Sequence, residues 1–185
     1  DLELRTLVTV DEGRAEIFGI VLRDFLTNAF VVFDYQDSSD FKFAGPDMDH
    51  DRWLIGHRDT SGWHVDATVA ATLEAGTQYD VHVVIESENR VALRTAGITL
   101  LEHGYAESLI DGRAGIGTRN ATAHFDDLLA RAYAPTTAGQ LPLSENFDDG
   151  AADHFVEVLG TAIVTDGRLL LTPAVDADAV TTLLL

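Results

Sequence analysis

The feature that most constrains the fold of this chain is a period-two alternation of apolar and polar residues, which recurs in short segments along its length. In the opening stretch, Leu2 and Leu4, then Val8 and Val10, fall on one face of an extended strand. Helical periodicity is scarce, and glycine, aspartate, asparagine and proline separate the segments at short intervals. Roughly 15 short strands with almost no helix predict an all-β fold built as a two-sheet antiparallel sandwich.

The predicted strands cover residues 2–10, 16–23, 29–35, 40–44, 52–57, 63–68, 78–87, 90–95, 98–103, 114–118, 121–133, 144–147, 162–164, 168–172 and 179–185. The segments 78–87 and 90–95 flank Glu88-Asn89. This spacing predicts a tight hairpin in which Asn89 takes a positive φ.

Composition supports a packed protein and excludes several classes of function. Of the 185 residues, 46% are hydrophobic and 23% are charged, and a chain of this composition is too apolar to be intrinsically disordered. The 31 acidic residues outnumber the 12 basic ones, and the net charge of −19 repels nucleic-acid backbones and anionic membrane surfaces. No apolar run approaches the roughly 18 residues of a spanning helix. We therefore expect neither nucleic-acid binding nor membrane insertion.

The chain has no cysteine, which excludes disulfides and thiolate catalysis.

Residues 134–142 have the composition of a linker, because they are uncharged and contain two of the four prolines. A domain boundary normally falls in such a stretch, yet the segment 143–185 is too short for an independent sandwich. We therefore expect one domain over residues 1–185, in which the segment after the linker pairs with strands from the first 134 residues. We further expect Leu2–Val10 to lie beside strands of residues 168–185.

Several short motifs resemble those of the concanavalin A-like (laminin-G-like) jelly-roll modules of bacterial extracellular proteins. The Phe-Asp-Asp-Gly of residues 147–150 and the Asp-Gly turn at 166–167 are similar to the opening of such modules. Their middle is similar to residues 28–36, 40–45, 55–57 and 62–63, and their final strands to residues 115–118 and 125–128. Because the opening motif here follows the closing one, the resemblance implies a circularly permuted jelly roll, or a tandem array cut within a module. Residues 134–142 would then join the family's last strand to its first.

A structural calcium ion is a further implication of the resemblance, since it ties the opening strand of such modules to the closing one. The matching carboxylates are Glu145 and Asp126, with Asn146 or Asp127 nearby. Calcium takes six to eight oxygen ligands, and it offsets the repulsion between acidic residues on paired strands. The alternative is that these residues are ordinary solvated acids of turns.

Aromatic residues with polar neighbours are the candidates for sugar binding, because flat rings pack against the apolar faces of sugars. Trp63 follows a glycine at the start of a strand and is the preferred platform, with Tyr35, Lys42 and His57 as possible partners. Taken singly, each of these residues is more often structural. Trp53, which alternates with apolar neighbours, is expected in the core.

The acidic residues do not form a pattern typical of catalysis. Glycoside hydrolysis needs two carboxyl groups at a fixed separation, whereas the acidic stretches fall at a hairpin tip (86–88), in a predicted loop (47–51) and across a bend (102–107). The sequence therefore predicts a non-catalytic, calcium-stabilised module for glycan binding or adhesion. We expect it in a secreted or cell-surface bacterial protein with neighbouring domains. The alternatives are a structural spacer repeat and, with less support, a glycoside hydrolase.

Overall fold

The computed structural model of the protein describes residues 2–11, 15–17, 20–22, 28–132, 143–152, 155–173 and 178–183. These residues form two large antiparallel sheets and a two-stranded ribbon. No helix among them is long and apolar enough to cross a lipid bilayer. The predicted linker, residues 134–142, lies outside the described residues.

The first sheet contains β1 (Leu2–Val10), β8 (Gln78–Glu86), β9 (Arg90–Thr95), β10 (Ile98–Gly104), β12 (Ala123–Ala132), β13 (Leu143–Glu145), β15 (Thr161–Thr165) and β16 (Arg168–Thr172). In space, its strands run β10-β9-β8-β1-β12-β16-β15, and β13 also pairs with β12.

The second sheet contains β4 (Asn28–Asp37), β5 (Asp40–Asp47), β6 (Arg52–Asp59), β7 (Gly62–Ala70), β11 (Arg113–Arg119), β14 (Phe155–Leu159) and β17 (Asp178–Leu183). Its strands run β14-β17-β11-β4-β5-β6-β7, which leaves β7 at one edge. A single 3₁₀ turn, Met48–His50, connects β5 to β6, and β2 (Ala15–Ile17) pairs with β3 (Ile20–Leu22) to form the ribbon.

The main core lies between the two sheets and accounts for the alternating sequence pattern. Phe33, Trp53 and Ile55 of the second sheet pack in one cluster with Leu93 and Phe125 of the first. All five side chains are buried, and each contributes about 1.5–3 kcal/mol relative to an exposed position. The expected core position of Trp53 is confirmed.

A second apolar cluster covers the opposite face of the second sheet, which we call the outer face. It comprises Phe30, Val32, Tyr35, Phe41, Phe43 and Leu54, with Trp63 packed against it, and we call these residues the outer aromatic layer. Successive side chains of a strand point to opposite faces, so Phe30 and Val32 face outward while Val31 and Phe33 face the core. Strand β4 is therefore apolar on both sides.

The predicted all-β, two-sheet antiparallel sandwich is confirmed, and so is the hairpin at Glu88-Asn89. The positive φ angles of this hairpin, however, belong to Ser87 (55°) and Glu88 (66°) rather than to Asn89. Glu86 pairs with Arg90, so the loop comprises residues 87–89 and its first two residues are the left-handed ones.

The prediction that Leu2–Val10 lies beside strands of residues 168–185 is wrong. Strand β1 pairs with β8 along one edge and with β12 along the other, and a strand has only two edges. Strand β16 pairs with the far side of β12, and β17 belongs to the second sheet. The expected pairing of the segment after the linker with earlier strands is confirmed, since β13 and β16 pair with β12 and β17 pairs with β11.

Candidate functional site

An open groove lies on the outer face of the second sheet, and we call it the outer-face groove. Its lining combines three aromatic rings with aliphatic and polar groups: Asn28, Phe30, Phe43, Asp47, His50, Arg52, Leu54, Trp63, Val65 and Arg119. Ligand sites are typically concave and mostly apolar, with a few polar groups that orient the ligand. This groove is therefore the candidate binding site.

The pleat of neighbouring strands builds the floor of the groove. Strand β4 contributes Phe30, β5 contributes Phe43 and β6 contributes Leu54, all from the same face of the sheet. Phe43 lies opposite Gly56 of β6 in the strand register. A Cβ atom at Gly56 would come within 2.7 Å of the Phe43 ring, so the absence of a side chain there allows this ring to pack against β6.

Trp63 forms one wall of the groove on the edge strand β7. Its ring centroid lies 4.8 Å from that of Phe43, 5.4 Å from Phe41 and 5.5 Å from Phe30. The guanidinium of Arg119 lies over the ring, 4.9 Å from its centroid. Tilted aromatic pairs and a cation over the ring face both hold an indole in place. The residue is half-buried, so this ring is anchored and still reaches solvent.

The two arginines of the groove make different contacts. Arg52 Nε donates to Oδ2 of the buried Asp47 at 2.7 Å, and His50 Nδ1 lies 3.0 Å from the same oxygen. The guanidinium of Arg119 contacts the ring of Trp63, and no side chain that the structure describes forms an ion pair with it. Its cross-strand neighbour on β17 is Asp178. The groove therefore presents a guanidinium beside an indole ring, although the chain carries a net charge of −19.

The four residues predicted to bind glycan do not share one face of the sheet. Trp63 and Tyr35 belong to the outer aromatic layer, where Tyr35 stacks on Phe41 at 5.8 Å between ring centroids. Burial raises the pKa of the Tyr35 hydroxyl. Lys42 and His57 alternate with outward-facing residues and lie on the other side of the sheet. The structure thus separates Lys42 and His57 from the groove that Trp63 lines.

Lys42 is engaged in an internal ion pair. Its Nζ lies 2.9 Å from Asp34 Oδ2 and 3.0 Å from Glu107 Oε1, and its side chain is 8% exposed. Burial alone would lower the pKa of Lys42, but the hydrogen bonds and charges of Asp34 and Glu107 outweigh it and raise this pKa. Burial raises the pKa of Asp34, and the hydrogen bond from Lys42 opposes that rise. This arrangement stabilises the fold rather than presenting Lys42 to a ligand.

His57 belongs to a cluster of titratable side chains beside β10. Its Nδ1 lies 2.8 Å from Asp66 Oδ2, and the same oxygen accepts a hydrogen bond from the Tyr105 hydroxyl at 2.7 Å. The ring of His57 stacks on that of His64 at 4.7 Å, directly across the β6–β7 ladder. Across the described part of the chain, one group of three or more His, Asp or Glu residues has ligand atoms within 4.8 Å of one another, and it comprises His57, Asp59 and His64.

Two of the residues predicted to bind calcium, Glu145 and Asn146, lie at the end of β13. Strand β13 pairs with β12, so Glu145 stands opposite Leu128. Glu145 Oε1 accepts a hydrogen bond from the Phe147 amide at 2.8 Å, and the Asn146 amide donates to Asp148 Oδ2 at 2.8 Å. Both side chains thus hold the turn that follows β13.

The other two, Asp126 and Asp127, lie on β12. Asp126 Oδ1 accepts from the Asp127 amide at 2.8 Å, and Asp126 Oδ2 lies 3.6 Å from Arg168 Nε. Within the described residues, the carboxylates of Asp126, Asp127 and Glu145 do not gather into a group of ligand atoms within 4.8 Å of one another. Their oxygens suit calcium chemically, and joining them around one ion requires the turns to rearrange.

Sequence reasoning missed Phe30, Phe43 and Arg119. A signal for Phe30 was present, because residues 29–33 form a continuous apolar run rather than an alternating one, which indicates a strand that is apolar on both faces. Arg119 had no such local signal. It reaches the groove because β11 pairs with β4, which places Arg119 opposite Asn28.

Comparison with known proteins finds likeness in structure. No protein-family model matches the chain, and no curated protein matches its sequence. The carbohydrate-binding module CBM66 of Bacillus subtilis superimposes with a TM-score of 0.57, over 71% of this chain and 75% of its own, at 15% sequence identity. The fold is a jelly-roll β-sandwich. The galectin LEC-6 of Caenorhabditis elegans aligns over 63% of this chain and 73% of its own, with a TM-score of 0.44 and 10% identity.

Proposed function

We propose that the outer-face groove binds a glycan and that the protein is a non-catalytic carbohydrate-binding module. The observation that carries this proposal is the setting of Trp63, whose ring is anchored by three phenylalanines, half-buried, and adjacent to the guanidinium of Arg119. An aromatic face suits the apolar C–H face of a sugar ring. The planar guanidinium has five N–H donors in a fixed geometry, which suits neighbouring hydroxyl groups.

The fold supports this proposal. One protein of similar fold carries the name of a carbohydrate-binding module. Because a fold can host many functions, this likeness raises the expectation of glycan binding without identifying the residues responsible. We propose that the residues lining the outer-face groove are those responsible.

The described lining of the groove does not contain the pair of carboxyl groups that glycoside hydrolysis requires. Among the described residues that line it, Asp47 is the one carboxylate, and it is 1% exposed and bonded to Arg52 and His50. Both retaining and inverting glycosidases need two carboxyl groups flanking the scissile bond. We therefore infer binding without hydrolysis.

The motif resemblance is the basis for the wider setting that we propose. This setting is a secreted or cell-surface bacterial protein with neighbouring domains, in which the module is laminin-G-like and circularly permuted. Polysaccharide or glycan binding then serves adhesion or anchors a neighbouring domain. A spacer repeat that binds nothing is the alternative, and the experiment that follows distinguishes the two.

The test is the substitution Trp63→Ala, assayed by glycan array and affinity gel electrophoresis and followed by calorimetry on the glycans retained. We expect affinity to fall at least about 30-fold, because a central aromatic contact is worth about 2 kcal/mol or more. Arg119→Ala should weaken binding with less effect on stability, since the contact that the structure describes for its side chain is with the ring of Trp63 alone. The matched control is Ile163→Ala, an exposed apolar residue of the first sheet that lies outside the groove.

Circular dichroism and thermal melting must accompany this test, because Trp63 packs against three phenylalanines. Trp63→Phe retains an aromatic face and should retain more binding than Trp63→Ala. Wild-type affinity in a folded Trp63→Ala variant, or no retained glycan for the wild type, would show that the groove is not a glycan site.

We also propose that calcium stabilises the protein through Asp126 and Glu145, with Asp127 or Asn146 completing the ligands. An ion that binds only the native state stabilises it by RT ln(1 + [L]/Kd), about 2.7 kcal/mol at a hundred times Kd. We expect a chelator to lower the melting temperature, and Asp126→Ala to remove most of that response. An unchanged melting curve after confirmed metal removal contradicts the proposal.

A further inference from the structure

The sides of β6 and β7 that face away from the outer-face groove carry a set of side chains suited to a transition metal. His57 and His64 lie directly opposite each other in the strand register, and Asp59 ends β6 just before the turn into β7. One ligand atom from each of the three lies within 4.8 Å of the others. Two imidazoles and a carboxylate are a donor set typical of zinc and its first-row neighbours.

A carboxylate orients His57 as it would in a metal site. Asp66 lies 2.8 Å from His57 Nδ1 and is itself held by the hydroxyl of Tyr105 at 2.7 Å. The Tyr105 hydroxyl also lies 3.3 Å from the Gly56 carbonyl oxygen. When Asp66 accepts the Nδ1 proton, Nε2 is the nitrogen with a free lone pair. Ligating histidines almost always have such a carboxylate or carbonyl partner on the other ring nitrogen.

The turn between the strands fixes Asp59 next to His64. Asp59 Oδ1 accepts hydrogen bonds from the amides of Ser61 and Gly62 at 2.7 and 3.1 Å. His64 Nε2 lies 3.0 Å from the same oxygen. Bonds of about 2.0–2.1 Å in tetrahedral geometry place two zinc ligands roughly 3.3 Å apart, so this pair is already near the spacing of one edge of the coordination shell.

The cluster is accessible from solvent and sits in a favourable electrostatic field. The side chain of His57 is 31% exposed, that of His64 41% and that of Asp59 48%, which leaves room for water as a further ligand. The rings of His57 and His64 stack within 15° of parallel, so one ring must rotate for both nitrogens to point at a common ion. The net charge of −19 attracts cations to the molecule.

We propose that His57, Asp59 and His64 bind one divalent first-row transition metal ion of the zinc class, with Asp66 orienting His57. This site is distinct from the calcium ligands proposed on β12 and β13. It is also independent of glycan binding, because it lies on the opposite side of β6 and β7 from Trp63.

The experiment is calorimetric titration of the whole chain with Zn²⁺ at about pH 7.5, together with the visible spectrum of the Co²⁺ form. We expect one equivalent to bind with micromolar or tighter affinity, and the Co²⁺ form to show the intense bands of tetrahedral coordination. Affinity should fall as the pH is lowered, because protons compete with the metal ion for the ligand atoms. His64→Gln and Asp59→Asn should each weaken binding at least tenfold, and Asp66→Asn by about 10- to 100-fold.

The matched control is His124→Gln, which removes a histidine that faces Asp11 at 3.3 Å in the first sheet. This control should bind Zn²⁺ as the wild type does. Equal binding in a folded His57→Gln/His64→Gln double variant would mean an adventitious ion only and would overturn the proposal. No saturable binding below millimolar Zn²⁺ in the wild type would overturn it as well. If the double variant does not fold, the single variants at the more exposed His64 and Asp59 decide the question.

Discussion

The chain's single lysine lies buried between carboxylates, and this placement makes Lys42 a sensitive point of the fold. Asp34, its closest partner, is 3% exposed and adopts a left-handed φ of 48° in β4. Removing one member of a buried ion pair leaves the other charge without compensation in a poorly solvated position.

We predict that Lys42→Met destabilises the protein by about 3–5 kcal/mol, measured by urea denaturation at neutral pH. The double variant Lys42→Met/Asp34→Asn should recover most of that loss, since no buried charge remains. A single variant as stable as the wild type would show that Asp34 is well solvated without its partner.

The destabilisation of Lys42→Met should also depend on pH. Without Lys42, burial raises the pKa of Asp34 further above the unfolded value of about 3.9. A carboxyl with a raised folded pKa contributes stability below the unfolded pKa, and this contribution is lost as pH rises through the folded pKa. The gap between wild type and variant should therefore narrow as the pH is lowered toward about 4.

At the residue scale, the sequence predicted the roles of some side chains and not of others. Trp63 was identifiable as an exposed aromatic because it follows glycine at a strand start. The role of Lys42 in a buried ion pair was not identifiable from the sequence. Its partner Glu107 comes from a distant loop, and its contact with Asp34 occurs where the β4–β5 register is irregular. Pairings of this kind depend on three-dimensional neighbours that local periodicity does not encode.

At the scale of the element, Gly56 sets how closely β6, β7 and the ring of Phe43 can pack. A Cβ atom there would lie 2.3 Å from the His64 carbonyl oxygen and 2.7 Å from Phe43 Cζ. The first of these neighbours is backbone, so the strand itself would have to move.

We predict that Gly56→Ala destabilises the protein by about 1–3 kcal/mol, as overpacked substitutions do, and also weakens glycan binding by displacing Phe43. The control is Gly104→Ala in β10, where an added Cβ meets nothing within 4 Å and the change should stay within about 0.5 kcal/mol. Urea denaturation and glycan titration measure the two effects. A stable Gly56→Ala variant with wild-type affinity would mean that the floor of the groove tolerates a shift of β6.

The bounds of individual strands were easier to predict from the sequence than the order of the strands in each sheet. The predicted segment 90–95 coincides with Arg90–Thr95, and 52–57 matches all but the last two residues of Arg52–Asp59, because alternation is a local property. The order of strands was less accessible. Sequence placed Leu2–Val10 beside the last strands, whereas β12 separates β1 from β16, since the outcome depends on which strand edges are free.

At the scale of the whole molecule, a strongly acidic chain presents arginine at its candidate binding groove. Salt screens the long-range repulsion between a net charge of −19 and a polyanion over about 8–10 Å, while contacts within the groove are screened less.

We therefore predict that affinity for an anionic polysaccharide rises as ionic strength increases from about 0.02 to 0.2 M, while affinity for a neutral glycan stays constant. Affinity gel electrophoresis over this range measures both. The neutral glycan is the internal control for effects of salt on folding. A polyanion whose affinity falls with salt would show that local attraction by Arg119 dominates the field of the molecule.

Side chains of the outer aromatic layer both stabilise the second sheet and line the groove. This dual role affects how the protein can evolve. Phe30, Phe43 and Trp63 pack on one another as well as lining the groove, so a mutation that reshapes the floor also costs stability. Arg119 and His50, on the rim of the groove, contribute less to the packing of the sheet. Substitutions that change glycan specificity should therefore occur first at rim residues. Floor residues should change only in proteins whose folding stability is high enough to tolerate the loss.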